Sequence, residues 1–244
     1  MLSQSSIEYL VTNGRKGYNW AFYTGCLHWK TGVCGGGGKG FYCWAKRNAD
    51  RFHKGDFTPT LHLEKLIAPN FPERPSRIAV CFTGDLFGDW VKPYQRVISG
   101  GPILKDAIFD KIRYSPQHTF LFLTKAPKNL LLWSPFPKNC WVGVTATDGY
   151  SYDRAIQSLK EIRAAVKYVS FEPLLASPLI PPRWMAEERI LNWVIIGAAT
   201  APLRLPEISW VEEIEQAADK SGIPVWEKNN LAKLLNRPLR QETP

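Results

Sequence analysis

Thr119-Phe120-Leu121-Phe122-Leu123-Thr124 and, further on, Cys140-Trp141-Val142-Gly143-Val144-Thr145 are nearly unbroken apolar runs that end in polar residues. A half-exposed strand would alternate apolar with polar residues, so runs like these read as parallel strands covered on both faces. Arg77–Phe82 and a leading Tyr18–Tyr23 precede them, while Tyr168–Phe171, Asn192–Gly197 and Ile223–Trp226 follow. Helical stretches lie between: Cys43–His53, Pro102–Tyr114, Ser151–Ala165 and Ile208–Ser221. In the last, Ser209 is the expected N-cap, Glu212 and Glu213 occupy the first turn, and Gly222 stands just past the end. Repeated β-α units predict an α/β protein with a mostly parallel sheet, one domain over residues 1–244, forming an open or partial barrel. A doubly wound sheet is the alternative, because periodicity does not decide whether a sheet curls. The proline-rich stretches 55–77 and 173–190 are expected as surface loops.

The 244 residues are 45% hydrophobic and 13% aromatic, enough for one large core or two small ones. No apolar run approaches the ~20 residues of a membrane span. Met1-Leu2-Ser3-Gln4-Ser5-Ser6 has neither the basic start nor the apolar stretch of a signal peptide. The expectation is a cytoplasmic protein that does not enter a membrane. Lys and Arg outnumber Asp and Glu by 31 to 22, and residues 1–77 hold eleven of these basic residues against five acidic ones. Nucleic acid or another polyanion is therefore a candidate partner, although no run of consecutive basic residues marks a nucleic-acid tail.

Five cysteines are an odd number, and Cys26, Cys34 and Cys43 stand within eighteen residues of one another. In a chain this large, metal ligation explains the cluster better than disulfides do. Three thiolates leave one coordination position open, which a reactive centre needs and a structural one does not. The loop 24–45 also carries Gly35–Gly38, whose backbone freedom would let a long loop fold back around a centre. A phosphate-loop reading of that run fails, because it lacks a Gly-Lys-Ser/Thr ending and a preceding strand. A zinc site completed by His28, His53 or Cys81 stays open. Cys81 and Cys140, in or beside apolar strands, are expected as buried thiols. Trp20, Trp29 and Trp44 flank the cysteines, to shield a centre from water or to stack bases.

In a parallel β/α barrel the reactive face is built from the loops after the strands. There the chain places Cys26, Gly84-Asp85, Thr124-Lys125, Thr145 and Thr147, Glu172, Gly197 and Lys228. Glu172 would be costly to bury alone, so it faces a ligand or pairs with Lys125 or Lys228. These three are the candidate catalytic residues. His118 falls at the opposite, structural end and reads as a packing or capping residue.

Thr24-Gly25-Cys26, Tyr42-Cys43-Trp44-Ala45, Gly84-Asp85-Leu86-Phe87, Pro116 to Pro127 with its Gln117-His118-Thr119-Phe120 and Leu123-Thr124-Lys125, Trp141-Val142-Gly143-Val144, Ser170-Phe171-Glu172-Pro173-Leu174-Leu175 and Trp193 to Gly197 resemble the successive motifs of a phage-associated three-cysteine protein family. That family is of largely unassigned function and is viewed as a distant relative of radical S-adenosylmethionine (SAM) enzymes. The resemblance implies a partial (β/α)6 barrel of radical SAM type, with a [4Fe–4S] cluster on Cys26, Cys34 and Cys43. It implies SAM bound at the open position, with Gly84, Asp85, Thr145, Thr147 and Gly197 as cofactor-binding residues, and an electron donor as a partner. The expected activity is generation of a 5′-deoxyadenosyl radical, with nucleic acid as a candidate substrate. The spacing departs from the usual one, in which three and two residues separate the cysteines; here seven and eight do. Two other classes stay open: a non-catalytic Fe–S or zinc nucleic-acid-binding protein with the same barrel, and a β/α-barrel hydrolase using Asp85 and Glu172 as paired carboxylates.

Overall fold

The structure is a computed structural model that describes residues 2–31, 34, 43–52, 54–180, 190–200 and 202–244. Its strands are β1 (Ser3–Gln4), β2 (Tyr18–Trp20), β3 (Tyr23–Thr24), β4 (Thr60–Leu61), β5 (Arg77–Val80), β6 (Thr119–Thr124), β7 (Cys140–Thr145), β8 (Val166–Phe171), β9 (Trp193–Ile196), β10 (Ala199–Thr200), β11 (Leu203–Arg204) and β12 (Val225–Glu227). Its helices are α1 (His28–Thr31), α2 (Trp44–Phe52), α3 (Leu63–Ile67), α4 (Leu104–Arg113), α5 (Leu130–Trp133), α6 (Gly149–Glu161), α7 (Ile208–Ser221) and α8 (Ala232–Leu235).

Eight strands form one sheet in the order β1-β2-β5-β6-β7-β8-β9-β12. Only β1 runs antiparallel; the remaining seven are parallel and succeed one another in chain order. A doubly wound sheet reverses its strand order, and among the described residues this sheet does not. Side chains alternate across the strands. Val80, Phe122, Val144 and Phe171 face helix residues such as Ile108, Phe109, Ile156 and Ile214. Ala79, Leu121, Tyr168, Trp193 and Trp226 point the other way, where Tyr9 and Leu10 of a 3-10 turn (Glu8–Leu10) pack on them. Among the described residues, helices therefore pack on one face and the N-terminal segment crosses the other.

Among the described residues β1 and β12 do not pair with each other, so the sheet is open. The outer edge of β12 is nevertheless covered: the C-terminal segment lies along it, with the Glu227 N–H donating to the Arg240 carbonyl (2.7 Å) and the Glu242 N–H to the Val225 carbonyl (3.0 Å), while β1, the other edge strand, is only two residues long. Such cover removes the template that a bare edge offers to other chains.

Several boundaries differ from the sequence reading for local reasons. The run Tyr18–Tyr23 breaks after Trp20, and Tyr23–Thr24 turns aside to pair antiparallel with Thr60–Leu61. β5 stops at Val80 because Cys81 takes a positive φ of 58°, outside strand geometry. The stretch 55–77 is not all loop, since it carries β4 and α3. Ser209 does not cap α7: the N-cap is Glu207, without a side-chain bond, while Gly222 ends the helix in the left-handed region as expected. α6 starts at Gly149 because Asp148 and Ser151 form a reciprocal capping box. Of the loop 173–190, residues 181–189 lie outside the described residues.

The end of β12 holds a buried charge cluster. Glu227 is wholly buried; Arg237 donates to both its oxygens (2.9 and 2.8 Å) and the Arg240 N–H adds a third bond (2.7 Å). Burial opposes the Glu227 charge, but Arg237 holds the carboxyl below the ordinary range. Glu215 shares Arg237, and burial together with the neighbouring Glu227 pushes it up to about 7. A raised carboxyl adds stability below its unfolded value near 4.5 and loses it as pH climbs through about 7. Between pH 5 and pH 8 the protein should therefore lose on the order of 1–3 kcal/mol through Glu215. Glu215→Gln should flatten that slope in denaturant unfolding at the two pH values. An unchanged slope would mean that Glu215 is ionised throughout.

Candidate metal and cofactor cleft

The C-terminal ends of the parallel strands open into a cavity of about 350 Å³, within the range that holds small ligands. Cys26, Cys34, Cys43, Gly84, Asp85, Lys125, Thr145, Glu172 and Lys228 all line it. Segments far apart in the chain are thus brought to one place by the topology. Thr147 and Gly197 are not among the lining residues.

Two glycines set the exit of the first strand. Gly25 has φ +80°, and a Cβ there would stand 2.3 Å from the Thr58 carbonyl oxygen. Gly25 and Gly84 bridge in parallel, and a Cβ on Gly84 would meet the Gly25 carbonyl oxygen at 2.6 Å. Both positions need glycine for space, and Gly25 also for its backbone conformation. This tight crossing holds Cys26, whose N–H donates to the Phe57 carbonyl (3.1 Å).

Asp85 organises the next two strand ends. It is buried, and its oxygens accept from the Thr124 hydroxyl (2.8 and 2.9 Å), the Phe87 N–H (3.0 Å) and the Lys125 N–H (3.2 Å). His28 Nδ1 stands 3.8 Å away, and its ring meets Trp90 edge-on at 4.7 Å. Burial pushes the Asp85 carboxyl up, against the pull of Thr124, His28 and the two N–H groups; burial likewise pushes His28 down. Asp85 therefore ties the β5 exit to the β6 exit and faces the helix that follows Cys26.

Glu172 pairs with Lys228, one of the two lysines expected as its partner, and both side chains are largely shielded. Gly197 lies beneath the pair. A Cβ there would stand 3.0 Å from Lys228 Cδ and 3.3 Å from Glu172 Cγ, so the glycine makes room for the ion pair. Lys125 instead donates to the Thr145 hydroxyl (3.2 Å). Thr147 belongs to the start of α6, where its N–H donates to the Ser151 hydroxyl (2.8 Å) and its hydroxyl to Asp148 (3.2 Å).

The donor set suits a soft metal centre. Three thiols face one cavity, and the His28 N–H donates to Cys26 Sγ (3.4 Å). Burial pushes the Cys26 thiol up to about 12; the His28 N–H lowers it, and negative charge at Asp85, Cys34 and Cys43 raises it further. A bound cation reverses that balance, since a coordinating thiol gives up its proton and binds as the thiolate. Among the described residues no three His, Cys, Asp or Glu side chains are already drawn together as a metal cage. Gly35–Gly38 and His53 lie outside the described residues. Of the other zinc candidates, His28 lines the cavity, whereas Cys81 is buried with its sulfur 3.7 Å from the Trp20 carbonyl oxygen.

The sequence reading missed Tyr9 and Phe57, which also line the cavity. Tyr9 arrives from the N-terminal segment, edge-on to Trp193 at 5.7 Å and Trp226 at 6.4 Å. Nothing in its local sequence signals that long-range placement. Of the three flanking tryptophans, Trp20 is a core residue whose indole donates to the Lys65 carbonyl (2.9 Å), while exposed Trp44 lines the cavity. His118 is buried at the other end, edge-on to Phe120, and Cys140 is buried in β7.

No described helix is long and apolar enough to cross a membrane. No curated protein and no solved structure matches the chain. One family does, over residues 5–232, and its description is "protein of unknown function". With nearly its whole length matched, the chain belongs to the DUF5131 family.

Proposed function

We propose that this protein is a radical SAM-like iron–sulfur enzyme of the cytoplasm, built on a partial β/α barrel, with nucleic acid as its candidate substrate. The observation that carries the reading is the convergence of Cys26, Cys34 and Cys43 with the polar ends of five other strands on one cavity. The chemistry available there is one-electron cleavage of the SAM sulfonium, which yields methionine and a 5′-deoxyadenosyl radical able to abstract a hydrogen atom. Cys26, Cys34 and Cys43 would hold the [4Fe–4S] cluster and leave one iron open. Glu172 and Lys228 present opposite charges to the cavity, which suits the ammonium and carboxylate of a bound amino-acid moiety. Lys125 and Thr145 offer donors beside them. Asp85 holds the floor of the site, because its oxygens are already taken by protein donors. That engagement also weighs against a hydrolase using Asp85 and Glu172 as a carboxylate pair.

Protein purified without oxygen should contain iron and acid-labile sulfide. With dithionite and SAM it should release 5′-deoxyadenosine. A loaded protein that binds nucleic acid but gives no 5′-deoxyadenosine would instead support the non-catalytic alternative, and a colourless protein holding only zinc would remove the proposal.

A further inference from the structure

We propose that a second cavity, at the opposite ends of the strands, binds a phosphate group. It measures about 300 Å³ and is lined by Arg15, Lys16, Arg74 and Arg77 together with Thr12 and Ser76. Gly17 and Arg77, which also line it, stand at the starts of β2 and β5. The cysteine cleft lies at the ends of the same strands, so the two sites are separate.

Four cationic side chains line this cavity and no Asp or Glu does. None of the four pairs with a carboxylate among the described residues. Like charges gathered without counter-charge repel one another, and an anion relieves that cost. Two of the guanidinium groups are fixed in advance. Arg77 donates to the Tyr9 carbonyl (2.9 Å) and lies 5.0 Å over the Trp141 ring, while Arg74 donates to the Tyr18 hydroxyl (3.2 Å). Arg15 is held by the tight turn it shares with Thr12, whose backbones exchange bonds of 2.9 and 3.0 Å. Thr12 Oγ1 is a buried hydroxyl with no partner among the described residues, an independent sign of a missing acceptor. Planar guanidinium forks with a hydroxyl beside them match the tetrahedral oxygens of phosphate better than a single carboxylate.

The phosphate could belong to a nucleic-acid backbone or to a free phosphorylated small molecule, and binding experiments separate the two. Wild type and Arg15→Gln/Arg74→Gln, both exposed positions, would be compared with a fluorescein-labelled single-stranded oligonucleotide by anisotropy across a salt series. Inorganic phosphate and AMP would be titrated by calorimetry. The double variant should bind the recognised probe about tenfold or more weakly, with its melting temperature little changed. If the probe is the oligonucleotide, the magnitude of its log affinity against log salt slope should fall by about 2. Binding of the oligonucleotide alone assigns the phosphate to a backbone; binding of phosphate or AMP assigns it to a free ligand. The proposal is overturned if no probe binds wild type, or if the variant binds as well as wild type does. Iron content is expected to be the same in both proteins, so failure here leaves the reading of the cysteine cleft standing.

Discussion

On the proposed cluster assignment, Cys34→Ala should abolish iron and sulfide retention while leaving the fold in place. Cys34 is half-exposed in a cavity wall and contributes little to the core, so its removal costs the protein no large packed surface. Its effect on a cluster is far greater. Three thiolates are the minimum that holds a cluster with one open iron, and two leave it labile. Loss of a partner one shell further out already costs 10–100-fold in metal affinity, so loss of a ligand should cost about 100-fold or more. Iron and acid-labile sulfide in anaerobically purified Cys34→Ala should fall to near background, with far-UV circular dichroism and melting close to those of the metal-depleted wild type. A Cys34→Ala protein that keeps the wild-type iron content would show the ligand assignment to be wrong.

Asp85→Ala should be the most damaging single change to the fold around the cleft. Truncation leaves the Phe87 and Lys125 N–H groups and the Thr124 hydroxyl without their acceptor in a buried place. Each orphaned donor costs about 1–3 kcal/mol; some rebonding is open to Thr124, so the sum should be about 3–5 kcal/mol. For a chain of this size that lowers melting by about 10 °C. Asp85→Asn keeps the shape and one acceptor oxygen and should lose less than half as much. Equal melting of Asp85→Ala and wild type would mean that the network contributes nothing to stability. The change should also reach the proposed cluster site, because His28, whose ring faces Asp85, donates its backbone N–H to Cys26 Sγ.

How far the sequence could be read depended on the range of the interactions involved. β6 and β7 appear at the boundaries expected from their apolar runs, since a strand covered on both faces must be apolar at every position. The gathering of strand-end residues was also legible, because it follows from parallel topology rather than from side-chain detail. Strand order was not, as periodicity carries no information about neighbours. The same limit hid Tyr9, brought in by a segment that packs on β9 and β12. Gly197 and Thr147 were expected near the cofactor as strand-end residues. Gly197 packs beneath the Glu172–Lys228 pair, whose side chains line the cavity, and Thr147 belongs to the α6 capping box; the first arrangement depends on partners distant in the sequence. Asp85 was legible as a strand-end carboxylate, but not as a hydrogen-bond hub, because its donors come from two different strand exits.

On the proposed cluster assignment, the three thiolates leave a coordination position open to SAM. The most direct test is the electron paramagnetic resonance spectrum of the dithionite-reduced, anaerobically purified protein, recorded before and after SAM is added. The spectrum should be that of a reduced iron–sulfur cluster, and its g values should shift when SAM binds at the open iron. A cluster signal that SAM leaves unchanged would contradict an open iron, and no cluster signal at all would contradict the cluster itself.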